Sequence, residues 1–166
     1  MPEGRGHSGL YPNETPHLRS RINYWSGHYR VPQPLVQRII LRESSHRPEA
    51  RNGPYYGLMQ ILPQTARTMG YAGPSEGLLD ADTNLRYGVK YLRGAWLVAD
   101  GDHDEAVSWY SRGYYYEAKR KGLLRKPACA ADFSVVPIPS GGELRSPERK
   151  RGRERPLFVS TQSRRS

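Results

Sequence analysis

One carboxylate in this 166-residue chain, Glu43, stands where it can do proton-transfer chemistry. With Leu35 as zero and about 100° per residue, Ile39 falls at about 40°, Val36 at about 100° and Ile40 at about 140°. Glu43 falls at about 80° on the same count, inside the apolar arc, while Gln37 and Arg38 project elsewhere. Lost hydration disfavours the charged form of a carboxylate, which is the condition for a general acid that keeps its proton near neutral pH. The alternative is a glutamate at a helix end that points outward beside Arg42 or Arg47, the commoner place for a helical charge.

Seventeen residues after Glu43, the chain closes on Gly57-Leu58-Met59-Gln60. Tyr55, Tyr56, Trp109, Tyr110 and the Tyr114–Tyr116 run supply many aromatic faces with polar tips. Such faces suit sugar rings and serve equally as core-and-rim residues. Asp100, Asp102 and Asp104 imitate the start of a calcium loop. The sixth position is Glu105 rather than Gly and the twelfth is Ser111 rather than Glu, so helix capping is the better account. The histidines at 7, 17, 28, 46 and 103 lack ligand-like spacing, and Cys129 is the one cysteine. Neither a metal nor a cofactor is expected.

These residues need helices to hold them. Ile22, Tyr24 and Trp25 suit a short helix ending at Gly27, and Val31-Pro32-Gln33-Pro34 restarts the chain into the helix that carries Glu43. Pro48 stops that helix, and Asn52-Gly53-Pro54 marks a turn. A short helix is expected from about Leu62, with Pro63 in its first turn and Gly70 beyond its end. A longer one is expected from Asp80 or Asp82 to about Ala99, where Leu85, Val89, Leu92, Trp96 and Ala99 recur at three- and four-residue spacing. Asp102 and Glu105 cap a helix that ends at Gly113, and another continues to Gly122. Phe133–Val136 is the one convincing β-branched run. The expected fold class is mainly α, in three parts: a flexible, loosely draped segment over 1–20, a helical catalytic domain over 21–125, and a basic Pro/Arg/Ser-rich disordered tail over 126–166.

The net charge is +10, and the last 26 residues, with eight basic and three acidic side chains, carry half of it. A basic tail of that kind is solvated disorder by default and is suited to an anionic polymer. For the domain itself, only mildly basic, no nucleic-acid partner is expected. The sequence has no apolar run of about 20 residues to span a membrane and no visible signal peptide.

In order along the chain come VPQPLVQRIILRES at 31–44, YGLMQILPQTA at 56–66, LLDADTNLRYGVKYL at 78–92 and AVSWYSRG at 106–113. With these motifs, residues from about Ile22 to Gly122 resemble the catalytic domain of the soluble lytic transglycosylases. The resemblance implies a lysozyme-like helical fold with a substrate groove, acting as a monomer on peptidoglycan glycan strands in the periplasm or cell envelope. It makes Glu43 the catalytic acid and base, and it makes Ser44, Met59, Gln60, Tyr110 and Ser111 the substrate-binding residues. The implied reaction cleaves the MurNAc–GlcNAc β-1,4 bond and leaves a 1,6-anhydro-muramoyl end. A lysozyme-type hydrolase and a non-catalytic peptidoglycan-binding module are the alternatives. Where the family usually continues Tyr-Asn-Ala-Gly, this chain has Tyr110-Ser111-Arg112-Gly113.

Overall fold

The computed structural model describes residues 9–123. Helix α1 (Pro16–Tyr29) opens on Thr15, whose hydroxyl oxygen accepts from the Leu18 N–H at 3.0 Å, with Pro16 in the first turn. Its buried face, Leu18, Ile22, Trp25 and Tyr29, repeats at helical spacing. Helix α2 (Gln33–Glu43) follows after Arg30 turns the chain in the left-handed region (φ 57°).

Two short antiparallel strands, β1 (Arg51–Asn52) and β2 (Tyr55–Tyr56), come next, in the register Arg51↔Tyr56 and Asn52↔Tyr55. Tyr56 also bridges Ile61 in antiparallel fashion. Helix α3 (Pro63–Thr68) and a 3₁₀ turn (Ser75–Leu79) lead to α4 (Ala81–Val98), the longest helix described. Asp80 caps α4 by accepting from the Thr83 N–H at 2.9 Å. Asp102 caps α5 (His103–Arg112) by accepting from the Glu105 N–H at 2.8 Å, and α6 (Tyr115–Arg120) is the last α-helix described.

Helix α4 is the axis on which the rest packs, touching α1, α3, α5, α6 and the 3₁₀ turn. Its apolar face (Leu85, Val89, Leu92, Ala95) shares one buried cluster with α1, with Leu35, Val36, Ile39 and Ile40 of α2, and with Ala106, Val107 and Tyr110 of α5. A smaller cluster of Tyr56, Ile61, Ala66 and Leu78 lies where the hairpin meets α3 and the 3₁₀ turn. The chain is mainly helical, as expected.

Three local expectations differ from the structure. Residues 9–20 are built into the domain rather than draped over it: α1 begins at Pro16, and Glu14 is buried. The Thr15-Pro16 pair is a helix start, and Gly27 lies inside the helix rather than at its end. Gln37, expected to project away from the apolar arc, is buried because its amide bonds to Glu14 and His46. The turn at 52–54 lies where it was expected, and it closes a hairpin whose two-residue strands are too short to show alternation. Phe133–Val136, Cys129 and the basic tail lie outside the described residues.

Candidate active site

Glu43 is the last residue of α2 and is half-buried. The helix does not fray there, since the Ser44 and Ser45 N–H groups both donate to the Ile40 carbonyl, at 2.9 and 3.0 Å. Ser44 is buried, and its hydroxyl reaches back to the same carbonyl at 3.4 Å. Ser45 (φ 54°) and His46 (φ 63°) then take left-handed conformations, which swing the chain sharply away beyond Glu43. Side chains other than Gly visit that region at a cost of roughly 1–2 kcal/mol, so surrounding contacts must hold both residues there.

The Gly57–Gln60 turn is fastened from three sides. Tyr56 and Ile61 exchange backbone bonds of 3.1 Å at its mouth, and the Gln60 N–H donates to the Gly57 carbonyl at 3.1 Å. From α4, the buried Asn84 amide accepts from the Met59 N–H at 2.8 Å and donates to the Tyr56 and Leu78 carbonyls at 2.8 and 2.9 Å. From α5, the Tyr110 hydroxyl donates to the Met59 carbonyl at 2.7 Å. Both backbone groups of Met59 are thus held by side chains from two different helices.

Two glycines make that approach possible. Gly57 has φ +75°, and a Cβ on it would lie 2.3 Å from the Asn84 amide nitrogen and 2.5 Å from the Leu78 carbonyl oxygen. On Gly88, one turn beyond Asn84, a Cβ would lie 2.6 Å from the Met59 sulfur, so the missing side chain is the seat of Met59. Tyr91, the next member of the Asn84-x-x-x-Gly88-x-x-Tyr91 spacing, packs on Tyr110 and Tyr114 at 5.3 and 4.8 Å between ring centroids. Its carbonyl accepts from the Tyr114 hydroxyl at 2.8 Å. Burial pushes the Tyr114 phenol well above its ordinary range, so it remains a donor.

Gln60 links this turn to the loop that leaves Glu43. Its amide nitrogen donates to the Gly57 carbonyl at 2.9 Å and to the Ala50 carbonyl at 3.1 Å, and that Ala50 oxygen also accepts from the Gly57 N–H at 2.8 Å. The Gln60 side-chain oxygen is buried and has no hydrogen-bond partner among the described residues. Ser44, Met59, Gln60 and Tyr110 are buried, whereas Ser111 is half-buried on α5. Arg112 lies along the outer side of α5, its guanidinium 3.9 Å from the Trp109 ring centroid and 4.0 Å from Glu105.

Sequence reasoning passed over Asn84, Gly57 and Gly88 as individual residues, although two of them stand in the Asn-x-x-x-Gly spacing that helped to carry the resemblance. Their signal was an amide and a glycine on the inner face of a helix, where apolar residues are the usual choice. Among the described residues no cluster of His, Cys, Asp and Glu has the makings of a metal site, and no helix is long and apolar enough to cross a membrane.

A mainly helical, lysozyme-like domain, with a half-buried glutamate at a helix end and a Gly-Leu-Met-Gln turn pinned into the same core, defines the class. Within it the chain belongs to the transglycosylase SLT domain family, which matches residues 20–126. No solved structure matches the chain. Membership supports a lytic transglycosylase-type activity on peptidoglycan, a substrate of the cell envelope.

Proposed function

We propose that this protein is a peptidoglycan lytic transglycosylase of the periplasm or cell envelope that cleaves the MurNAc–GlcNAc β-1,4 bond, with Glu43 as its acid and then its base. The supporting observation is the placement of Glu43. It ends a helix whose buried face shares a core with Met59 and Tyr110, and after Ser44 the chain turns through Ser45 and His46, both left-handed. Protonated Glu43 donates to the glycosidic oxygen as the GlcNAc leaving group departs. The substrate's N-acetyl group supports the positive charge at C1. The C6 hydroxyl of MurNAc then attacks C1 and gives its proton to Glu43, which closes the 1,6-anhydro ring and restores the acid without consuming water.

A hydrolase of the usual kind needs a second carboxylate. Asp80 is engaged by Thr83 at the start of α4, and Asp82 is engaged by Arg21 and Trp25. Both therefore serve the start of α4, and the reaction written above needs no second carboxylate. Ser111 is the residue of the proposed binding set with surface to offer a sugar, whereas Gln60 is buried and ties the turn to the Ala50 carbonyl. Ser44, Met59 and Tyr110 act from beneath, by fixing the backbone against which the sugar lies.

The test is digestion of purified peptidoglycan by the full chain, with mass analysis of the soluble fragments. Anhydro-muramoyl ends that disappear with Glu43→Gln are the expected outcome. Reducing ends would make the protein a hydrolase, and binding to the insoluble polymer without release would make it a non-catalytic module.

A further inference from the structure

A chain of buried polar groups that the reaction does not use runs beside Glu43. Glu14, whose carboxylate is wholly buried, accepts from the Arg19 guanidinium at 2.7 Å twice, from the Tyr11 N–H at 2.9 Å and from the Gln37 amide nitrogen at 2.9 Å. Four donors on two oxygens define an ionised acceptor. Because the Gln37 nitrogen is committed to Glu14, its oxygen faces the His46 Nε2 at 2.7 Å, and an amide oxygen only accepts. His46 therefore carries its proton on Nε2. Its Nδ1 is buried without a partner among the described residues, so protonation would bury both a charge and an unpaired N–H.

The same segment grips the backbone just beyond Glu43. The Tyr11 ring stacks on His46 at 5.0 Å and 11°, and the Asn13 amide donates to the Ser45 carbonyl at 3.0 Å. Ser45 and His46 are the left-handed pair of the exit turn after Glu43, and Gln37 lies on the helix that Glu43 ends. The strap thus ties α2 to its own exit turn through side chains from residues 11–14. If packing alone were at stake, apolar residues would fill these positions at lower desolvation cost; a connected polar chain fixes direction as well as distance.

We propose that Gln37 and His46, anchored by Glu14 and the strap over residues 11–14, are positioning residues that set the direction in which Glu43 leaves its helix. The proposal rests on Glu43 being the catalytic acid. Misplacement by about 1 Å costs on the order of 100-fold in rate, so a partly loosened exit turn lowers kcat while substrate binding persists.

The test uses the full chain at a temperature where circular dichroism shows each variant folded. Gln37→Met keeps the volume and severs both bonds; His46→Phe keeps the stack on Tyr11 and severs one. Each is expected to lower kcat at least about tenfold with KM within about twofold, and the double variant to be no worse than the poorer single one. Asn13→Gly, an exposed change that suits the left-handed backbone there (φ 71°) and leaves the core intact, is expected to lower kcat by roughly two- to fivefold and serves where a core variant does not fold. Folded variants with wild-type kcat, or with losses matched by unfolded fraction alone, overturn the proposal while Glu43→Gln remains inactive. If Glu43→Gln itself retains wild-type turnover, the catalytic reading falls first and this one with it.

Discussion

Asn84 does at the residue scale what no apolar side chain could. One acceptor and two donors are all used, and each partner is a backbone group of the Tyr56–Met59 turn or of Leu78. Asn84→Ala would strand one buried N–H and two buried carbonyls, at about 1–3 kcal/mol each before relaxation. We expect a loss of about 3 kcal/mol or more in urea denaturation, and a similar direction for Asn84→Asp, whose oxygen would face two carbonyls. Arg112→Ala is the contrasting case. Its guanidinium rests on Trp109 at the exposed side of α5, so stability is expected to change by no more than about 0.5 kcal/mol, with peptidoglycan release little altered. The hydroxyl and large cation that replace the family's usual Asn-Ala thus place the cation away from the buried Tyr110–Met59 bond.

At the scale of elements, caps and proline signals located most helices. Asp80, Pro63 and Asp102 stand where the sequence puts helix starts, and each does so through a local bond or a missing N–H. The start of α1 carried the same kind of signal in Thr15-Pro16, but it was submerged in a Gly- and Pro-rich stretch without apolar periodicity. The hairpin was not legible because a two-residue strand has no pattern to read; its pairing is fixed by the Gly57–Gln60 turn that follows. Gly57→Ala tests that dependence. A Cβ there meets α4 and the 3₁₀ turn at 2.3–2.5 Å in a left-handed backbone, so a destabilisation of at least about 1–3 kcal/mol is expected in thermal melts, with loss of activity in the fraction that folds.

At the scale of the molecule, two carboxylates join α1 or its approach to the rest of the domain. Burial by itself would raise both Glu14 and Asp82. Hydrogen bonds from Arg19, Gln37 and Tyr11 to the first, and from Arg21 and Trp25 to the second, outweigh burial and hold both below their ordinary values of 4.5 and 3.8. Their stabilisation is complete above those values and is lost as pH falls through the folded-state pKa values. Burial also lowers His46 from 6.5, against the attraction of Glu14 and with the repulsion of Arg19. The unfolded chain therefore takes up this proton first, and stability begins to fall as pH drops below about 6.5. Urea midpoints measured from roughly pH 7.5 downward should show a shallow decline and then, in the carboxylate range, a steeper one. His46→Phe should flatten the shallow part; an unchanged slope there would assign it to another group.

The sequence by itself determined the helical class, most helix boundaries and the identity of the candidate acid, because these depend on periodicity, capping and spacing along one stretch of chain. Tertiary structure decided how the Gly57–Gln60 turn and the exit turn after Glu43 are held. Residues far apart in sequence meet in the Asn84 and Tyr110 bonds to Met59, the Gly88 seat for its side chain, and the line from Glu14 through Gln37 to His46. Gln37 shows why: a polar residue outside the apolar arc reads as solvated until the partners that bury it are known, and those partners come from a segment 23 residues earlier and a turn nine residues later. Hydrogen-bond satisfaction is a property of the folded neighbourhood, and helix phase alone carries no information about it.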